Sequence, residues 1–448
     1  MSPEVFSVAM FVTLMALIIL GHPLAFTLMT VAVVFGFISN GYNIMGQLDI
    51  FANICWGLYD NYTLVAIPLF IYMAQLLDRS GVAEELFEAL YIVLGGVKGG
   101  LALAVVFVCT IMAASTGIIG ASVVAMTLLA APPMISRGYQ KELTAGVICA
   151  AGTLGILIPP SIMMVVYGGL TGLKETSVGM LFAGAYIPGL ILSSLYFGYI
   201  IIRCKLNPEI GPPISTEESS RYSTGHKVVM TLKSLMPPLA LIIIVMGTIL
   251  AGVATPTEAA GMGALGAFLL ALVKGRINWP VIRDSSVQTM KVTAMVMLLF
   301  IGGNTFASVF LGAGGGDVVK ELFVGSGMSE SLALFIMMAI VFVLGAFIDW
   351  AAILLVTVPI FMPIAMELGL DPLWFSILMC VNLQTSFLTP PFGYALFYFM
   401  GAAPEGYTMM HIYRGIIPFV MLQVVGLIII VLFPKLVTWL PVLAFGQY

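Results

Sequence analysis

The chain has 448 residues, of which 61% are hydrophobic and 8% are charged, with a formal net charge of −4. A soluble domain carries about 25% charged residues, so this composition excludes an ordinary globular protein. Apolar stretches of roughly 20 residues recur from end to end, which is typical of membrane-spanning helices. We therefore predict an all-α polytopic membrane protein, in which the small net charge says little about partners.

Five cysteines and three histidines are scattered along the chain without the spacing of a metal site. No combination of serine, histidine and acidic residues indicates a catalytic centre, so an enzyme is not predicted. The N-terminus enters the first apolar stretch almost at once, without the basic region and cleavage site of a secretion signal.

Three predicted spans open the chain, at residues 5–20, 24–38 and 62–77. The segment Val82–Leu94 follows them and carries three glutamates, which predicts a helix at the membrane surface. Charged side chains at that density are too costly for a span that crosses lipid.

An interrupted apolar stretch follows at residues 101–135, broken in the middle by "ASTGIIGAS". Lys98 and Arg137 flank it, and flanks of the same charge predict a re-entrant hairpin that enters and leaves on one side. Residues 142–171 then predict a span broken at a Pro-Pro pair, and residues 178–202 an intact span. Five crossings and one hairpin in this half require the second half to be inverted.

A repeat at an offset of 231 residues agrees with this division. The Pro-Pro pair of "GTLGILIPPS", Pro159 and Pro160, recurs in "LQTSFLTPPFG" as Pro390 and Pro391. Further matches at the same offset are Gly21 with Gly252, Pro132 with Pro363, Gly138 with Gly369 and Tyr167 with Tyr398. One ungapped alignment along most of the chain predicts two inverted repeats.

The basic residues predict the orientation, because Lys and Arg collect on the cytoplasmic side. With the N-terminus outside, 14 of the 17 basic residues fall inside, and only Lys174, Lys320 and Lys435 fall outside. The opposite orientation would reverse this ratio. The first hairpin then opens to the cytoplasm, and the second, at residues 332–366, opens to the outside.

The predicted spans divide the chain into two repeats and a linker. The first repeat is residues 1–203, with scaffold 1–97, hairpin and broken helix 98–172 and a connecting span 177–203. A cytoplasmic linker covers residues 204–233. The second repeat is residues 234–448, with scaffold 234–325, hairpin and broken helix 328–403 and a final span 411–434. The total is about ten spans plus two re-entrant helical hairpins.

The two broken helices predict a ligand site. Unpaired backbone groups in lipid are costly unless protein or a water-lined cavity satisfies them. Paired breaks in inverted repeats are typical of substrate and ion sites near the membrane midplane. A Pro-Pro pair is compatible with a new helix start. A helix N-terminus follows each break, and another begins the second limb of each hairpin. We expect these four N-termini to converge on one region, where they would favour an anion.

No Lys or Arg lies within a predicted span, so an anionic substrate would be held by helix N-termini, hydroxyls and amides. The candidate substrate-binding residues are Ser161, Asn382, Gln384, Ser386, Thr389 and Tyr394. The structural alternative for each Ser or Thr is a hydroxyl that bonds only to its own helix backbone.

The same breaks and tips offer oxygen atoms to a hard cation. The candidate ligands are Ser115, Thr116 and Gly117 at the first tip, Gly152, Thr153 and Gly155 in the first break, Gly345 and Asp349 at the second tip, and Thr385 in the second break. Asp349 is the one carboxylate within a predicted hairpin. An acidic side chain inside a membrane indicates a functional site by default. The alternative is that Asp349 lies at the hairpin tip and is exposed to water. Glu258, in "TPTE", is predicted to cap a helix instead.

These residues resemble the large membrane subunit of TRAP (tripartite ATP-independent periplasmic) transporters, the DctM-like subunit. The stretches that carry the resemblance are "TGIIGASVVAM", "GTLGILIPPSIMMVVYG", "TPTEAAGMGALGA", "FIDWAAILLVTVPIFMPI" and "QTSFLTPPFGYALF". The resemblance implies an elevator mechanism, in which a transport domain of both hairpins and both broken helices slides against a scaffold. It also implies Na+ coupling, with family ion sites that match Ser115, Thr116, Gly117, Gly152, Asp349 and Thr385.

The resemblance further implies two partners in a bacterial cell inner membrane system. One is a small four-helix membrane subunit (DctQ-like), expected as a separate chain because the helix that joins the two subunits in some relatives is absent. The other is a periplasmic substrate-binding protein (DctP-like) that delivers a small organic acid anion. Neither an organic cofactor nor a nucleic acid is expected.

Other functions fit part of this pattern. A stand-alone Na+/carboxylate symporter of a related elevator class would need no binding protein. A channel would require a continuous polar stripe along several spans, whereas the sequence has two local breaks. A membrane enzyme would require a cluster of catalytic or metal-binding side chains.

Overall fold

The computed structural model describes residues 2–39, 43–116, 119–213, 223–390 and 393–446, and these ranges contain helices and no strand. The helices of the first half are α1 (Pro3–Ile19), α2 (Leu24–Ser39), α3 (Ile44–Asp60), α4 (Ala66–Arg79), α5 (Val82–Leu94), α6 (Gly100–Thr116), α7 (Ile119–Ser136), α8 (Lys141–Thr153), α9 (Ile162–Thr171) and α10 (Val178–Leu206). Short 3-10 turns occupy Tyr62–Val65, Leu154–Ile156 and Pro208–Ile210.

The helices of the second half follow a related order. They are α11 (Thr224–Leu250), α12 (Pro256–Val273), α13 (Trp279–Gly312), α14 (Gly315–Lys320), α15 (Glu330–Gly345), α16 (Trp350–Glu367), α17 (Pro372–Ser386), α18 (Tyr394–Ala402), α19 (Met409–Leu432) and α20 (Lys435–Phe445). The single long helix α13 corresponds to α3 and α4, and the last helix, α20, has no counterpart among the described helices of the first half. A π-helical turn, Glu321–Gly325, follows α14.

Among the described residues, seven helices are long and apolar enough to cross a membrane. The pair α3 and α4 adds an eighth span that bends by 61° at Asn61. α1 and α2 are apolar but have only 17 and 16 residues, and the prediction of about ten spans includes them. Large apolar side chains such as Ile19 and Val273 are exposed on the outer surface, as expected where lipid replaces water. The chain is a multi-pass membrane protein.

Three segments differ from the sequence-based expectation. α3 and α20 are helices that the sequence analysis did not predict. α11 begins at Thr224, well inside the predicted linker 204–233, because the Ser223 hydroxyl caps it by accepting a hydrogen bond from the His226 N–H at 3.3 Å. The polar linker is therefore shorter than its composition indicates.

The broken helices form the centre of the fold. Every residue from Leu143 to Thr153 in α8, and every residue from Leu373 to Ser386 in α17, is buried. The two hairpins, α6 with α7 and α15 with α16, pack around them, and so do α10 and α19. This burial satisfies the condition for irregular backbone at membrane depth, because protein surrounds it.

Helix ends recur at the offset of 231 residues. α7 and α16 begin at Ile119 and Trp350, and they end at Ser136 and Glu367. The starts of α8 and α17, and of α10 and α19, are separated in the same way. Glycines with positive φ follow the repeat at helix ends, with φ of 78° at Gly138 and 77° at Gly369.

Helix packing is reciprocal between the halves. α2 packs on α13, and its counterpart α12 packs on α4, which corresponds to the second part of α13. α7 packs on α18, and their counterparts α16 and α9 pack on each other. Likewise α8 packs on α19, and their counterparts α17 and α10 pack on each other. Exchange of partners in every pair is typical of two copies related by a two-fold rotation.

Candidate functional site

A cavity of about 590 Å³ lies where both hairpins, both broken helices and two outer helices meet. The hairpins line it with residues 119–120, at the start of α7, and residues 349–351, at the start of α16. Ile162 and Tyr394 line it from the first turns of α9 and α18. Four helix N-termini therefore surround one cavity, each with backbone N–H groups that have no partner within the helix.

The outer wall of the cavity belongs to α2 and α13. Residues 23–26 form it at the start of α2, together with side chains between 292 and 299 in α13. These residues are apolar, among them Phe26 and Leu298. One face of the cavity is thus built from hairpins and broken helices, and the other from two helices outside that unit.

Few polar side chains reach the cavity. Among the described lining residues they are Asp349, Tyr394 and Tyr398, and none is Lys, Arg or His. Asp349 is the N-cap of α16, where its carboxylate accepts a hydrogen bond from the Ala351 N–H at 3.2 Å. The Tyr398 ring lies so close to Gly120 that a Cβ at that position would be 3.0 Å from it. The site therefore combines one carboxylate, two phenols and helix N-termini within apolar walls.

Several predicted second-half residues lie behind the cavity and join the hairpin to the broken helix. A Cβ on Gly345 would be 1.9 Å from Ser386 Oγ, so α15 and α17 touch at this point. The Asn382 side-chain amide donates to the Met338 carbonyl at 2.7 Å. Asn382 and Ser386 are buried and do not line the cavity.

The predicted hydroxyls bond to nearby backbone carbonyls, which is the structural alternative for these residues. Thr385 and Ser386 donate to carbonyls one turn earlier in α17 at 3.4 Å, and Thr389 donates to the Thr385 carbonyl at 2.9 Å. Ser161 donates to the Ile156 carbonyl across the first break. Each hydroxyl oxygen keeps the capacity to accept from or coordinate a ligand.

The two breaks touch each other through positions that are 231 residues apart. Gln384 Nε2 donates to Thr153 Oγ1 at 3.4 Å, and Thr153 donates in turn to the Ala150 carbonyl at 2.8 Å. Gln384 is fully buried, and its Oε1 has no hydrogen-bond partner among the described residues. A buried amide oxygen without a partner carries a desolvation penalty, so Gln384 is a candidate for contact with a ligand.

The remaining predicted ligands belong to the first half. Gly152 packs against α7 so closely that a Cβ at this position would be 2.5 Å from Val123 Cγ2, and Gly155 is buried in the turn Leu154–Ile156. Ser115 and Thr116 belong to the last turn of α6, and their side chains lie outside the described part of the chain. Gly117 also lies outside the described residues.

A protein-family model described as "Tripartite ATP-independent periplasmic transporter, DctM component" matches residues 11–436. The chain belongs to this family. The C4-dicarboxylate TRAP transporter large permease protein DctM of Pseudomonas aeruginosa is 35% identical over 85% of this chain and 87% of its own length. The ectoine TRAP transporter large permease protein TeaC of Halomonas elongata is 29% identical over 97% of this chain and 99% of its own.

Two solved transporters share the fold of this TRAP permease at low sequence identity. The Alcanivorax borkumensis YdaH transporter superposes with a TM-score of 0.61 at 14% identity, over 89% of each chain. Neisseria gonorrhoeae MtrF, from a class of antimetabolite efflux pumps, gives a TM-score of 0.58 at 12% identity, over 90% of this chain and 86% of its own. At such identities the likeness concerns the fold alone.

The sequence analysis missed most cavity residues of the permease. Trp350, Phe387 and Phe26 are apolar and give no chemical signal in a chain rich in such residues. Tyr398 was noted only as the repeat partner of Tyr167. Its spacing of four residues from Tyr394 on α18 places both on one helix face, and that spacing was the available signal.

Glu258 has the capping role that the sequence predicted. The Thr255 hydroxyl accepts from the Glu258 N–H at 3.3 Å, and the Glu258 carboxylate accepts from the Thr255 N–H at 2.8 Å. These reciprocal bonds form a capping box at the start of α12. The structural interpretation of this acid is confirmed.

Proposed function

We propose that this permease carries out Na+-coupled uptake of a small organic acid anion by an elevator mechanism. The observation that carries the proposal is the position of the cavity between two units. On one side are both hairpins and both broken helices, and on the other are α2 and α13. A site at such a boundary can face either side of a membrane when one unit slides against the other.

The proposed transport domain contains α6–α9 and α15–α18, within residues 98–172 and 328–403. The proposed scaffold contains residues 1–97 and 234–325, and the spans at 177–203 and 411–434 connect the two. The recurrence of helix ends at the offset of 231 and the reciprocal packing of α2 with α13 and α12 with α4 support a pair of inverted repeats. Inverted repeats provide two equivalent arrangements of one domain against the other.

The chemistry of the cavity favours an organic anion held without a basic side chain. Four helix N-termini line it and favour negative charge. Relatives are named for C4-dicarboxylate, for ectoine and for sialic acid, all of which carry a carboxylate. We propose a substrate of the same general kind. Of the candidate binding residues from sequence, Tyr394 lines the cavity, whereas Ser161, Asn382, Gln384, Ser386 and Thr389 are not part of its lining.

Na+ is the proposed coupling ion and moves with the substrate. The predicted first-half ligands are hydroxyls and backbone carbonyls, which cannot store a proton near neutral pH but can coordinate a hard cation. In the second half, Asp349 provides a carboxylate, and Gln384 Oε1 provides a buried oxygen that has no hydrogen-bond partner within the described ranges. The first-half donors therefore fit a small alkali cation better than a proton.

The proposed assembly has three components in a bacterial inner membrane. The permease would pair with a separate four-helix membrane subunit, and a periplasmic binding protein would deliver the anion. Both termini would lie outside and residues 204–233 inside, as the distribution of basic residues indicates.

The test is uptake into proteoliposomes that contain the permease and its small subunit. A panel of dicarboxylates, sialic acids and ectoine is first screened for the compound that raises the melting temperature of the binding protein. That compound, radiolabelled, is the probe. We expect uptake to require an inward Na+ gradient, and to cease when K+ or choline replaces Na+ at constant pH. Full uptake driven by a proton gradient without Na+ would refute the coupling ion.

The alternative of a stand-alone Na+/carboxylate symporter is separated by one further arm of the same assay. Uptake is measured with the binding protein present and with it omitted. A TRAP system needs the binding protein, so omission should reduce uptake to the level of empty liposomes. Equal uptake in both arms would favour the stand-alone symporter.

A further inference from the structure

A second cavity, of about 510 Å³, lies against another part of the scaffold. Its scaffold wall includes Thr63 in the turn before α4, and Ala254 and Pro256 at the start of α12. Its other wall is the connection from α9 to α10, within residues 168–179, together with Phe445 of α20. Lys174 lies in this connection and falls outside in the predicted orientation, so the cavity is on the outer side.

The scaffold walls of the two cavities correspond to each other at the offset of 231 residues. Thr63 corresponds to Ala294, and Ala294 lines the first cavity. Ala254 and Pro256 correspond to residues 23 and 25, which also line the first cavity. Three pairs of residues at the offset of 231 therefore line the two cavities, one member of each pair in each cavity.

The two walls differ in whether they are open. Phe26, in the first cavity, is 57% exposed, whereas its counterpart Thr257 is 6% exposed. The Thr257 hydroxyl donates to the Tyr62 carbonyl at 3.3 Å and so joins α12 to the turn before α4. Both copies of the wall line a cavity, but residue 26 is open in the first copy while its counterpart, residue 257, is covered in the second.

The cover is α9, which belongs to the proposed transport domain. The Asn61 side-chain amide donates to the Gly169 carbonyl at 3.1 Å. A Cβ on Gly169 would be 2.8 Å from Leu64 Cδ2, so the end of α9 rests directly on the scaffold. If the transport domain slides, this contact must open before the wall behind it becomes free.

We propose that Thr63 and residues 254–257 form the scaffold wall of the substrate site in the opposite, outward-facing conformation. In that conformation these residues would contact the organic anion. In the present conformation the residues of α2 and α13 would lie beside the same anion. This inference rests on the proposed elevator function. It adds a specific chemical difference, because Thr63 and Thr257 present hydroxyls where their counterparts, Ala294 and Phe26, have only apolar side chains.

The test uses repeat-related cysteines together with a lock. Phe26→Cys reports on the open wall and Thr257→Cys on the covered one, in a background with Cys55, the half-exposed native cysteine, replaced by Ser. Leu64→Cys with Gly169→Cys forms the disulfide lock, because these residues are in contact across the boundary. Labelling of the purified permease by a polar maleimide is measured at each reporter by mass spectrometry, before and after oxidation of the lock.

We expect oxidation to slow labelling at Thr257→Cys at least tenfold, and to leave labelling at Phe26→Cys unchanged or faster. Reduction should restore both rates. Ala254→Cys, paired with Pro23→Cys, is a second reporter pair in case Thr257→Cys disturbs folding, which size-exclusion chromatography detects.

Two adverse outcomes have different meanings. If oxidation accelerates Phe26→Cys but leaves Thr257→Cys and Ala254→Cys unaffected, the outward-facing wall lies elsewhere and this inference is overturned, while the elevator function stands. If oxidation changes neither member of either pair although the disulfide has formed, this inference is overturned, and the elevator function fails as well if the oxidised lock also leaves uptake into proteoliposomes unchanged.

Discussion

The two hairpins of the permease have tips that occupy equivalent positions in the repeat but differ in charge. Residues 101–135 of the first hairpin contain no acidic or basic side chain, whereas the second carries Asp349 at the start of α16. Both second limbs begin at the same cavity. The repeat therefore preserves the backbone arrangement that favours an anion, while the fixed negative charge is confined to one half.

The largest effect is expected from removing that charge. Asp349→Asn keeps the side-chain size and the hydrogen bond to the Ala351 N–H, because Asn caps helices as well as Asp. The proposed charge pair is Asp349 with a bound Na+. Loss of one partner from a buried charge pair costs about 3 kcal/mol or more, which corresponds to about a hundredfold weaker Na+ binding. We expect a rise of about that size in the NaCl concentration needed for half-maximal increase in melting temperature, measured against KCl at equal ionic strength.

Two matched variants control for this result. Asp371→Asn makes the same change at the N-cap of α17, where the carboxylate accepts from the Trp374 N–H at 2.8 Å away from the cavity. Glu258→Gln alters the capping box of α12. Glu258→Gln should lower the melting temperature, whereas Asp371→Asn should leave it nearly unchanged because Asn caps a helix as well as Asp, and neither variant should shift the Na+ dependence. A normal Na+ curve for Asp349→Asn with a shifted one for Glu258→Gln would mean that the two acids have exchanged roles.

A second comparison concerns the glycines that allow each broken helix to meet its hairpin. In Gly345→Ala the new Cβ would be 1.9 Å from Ser386 Oγ and 2.2 Å from Ser386 Cβ, which cannot move unless α17 moves. In Gly152→Ala the close atom, at 2.5 Å, is Val123 Cγ2, and a side-chain rotation can displace it. Overpacking of this kind costs about 1–3 kcal/mol, and we expect Gly345→Ala at the upper end and Gly152→Ala at the lower.

Thermal unfolding of the purified variants measures this difference. Gly247→Ala is the control, because the nearest atom to its new Cβ is 4.0 Å away within α11, and alanine is the better helix former. That variant should be neutral or slightly more stable. A larger loss at Gly152 than at Gly345 would show that the two halves do not differ as their contacts indicate.

The smallest effect is expected where the two halves meet. Gln384 donates to Thr153 at 3.4 Å, which is a long hydrogen bond. In a double-mutant cycle of Thr153→Val and Gln384→Leu we expect a coupling of about 0.5–1 kcal/mol in the free energy of unfolding. Strictly additive effects would mean that the two breaks are energetically independent.

Residues that interrupt helices made much of the fold predictable from sequence. The ends of α7, α9 and α16 follow from Gly138, Gly172 and Gly369, which have positive φ just after each helix, whereas the prolines inside α7 and α16 do not end those helices. Glu258 was predictable as a cap because "TPTE" contains both partners of a capping box.

Other features gave no such signal. α3 contains Gln47, Asp49 and Asn53, which lower its hydropathy below that of a span, although the Asn43 side chain caps its start by accepting hydrogen bonds from backbone N–H groups. The outer wall of the cavity was unpredictable because Phe26 and the side chains of α13 become site residues only through the packing of distant helices. Burial of Asn382 and Ser386 behind the cavity likewise depends on the contact of α15 with α17.

The contact between Thr153 and Gln384 has a consequence for how such a chain could have arisen. A position that touches its own repeat counterpart lies at the axis that relates the two copies. In a dimer of identical half-length chains, both sides of that contact would be the same residue, so two threonines or two glutamines would face each other. If the halves arose by duplication, a short hydroxyl opposite a long amide requires that the two copies changed independently after they were joined in one chain. The centre of the molecule can then differ between the halves, which a dimer of identical chains would not allow.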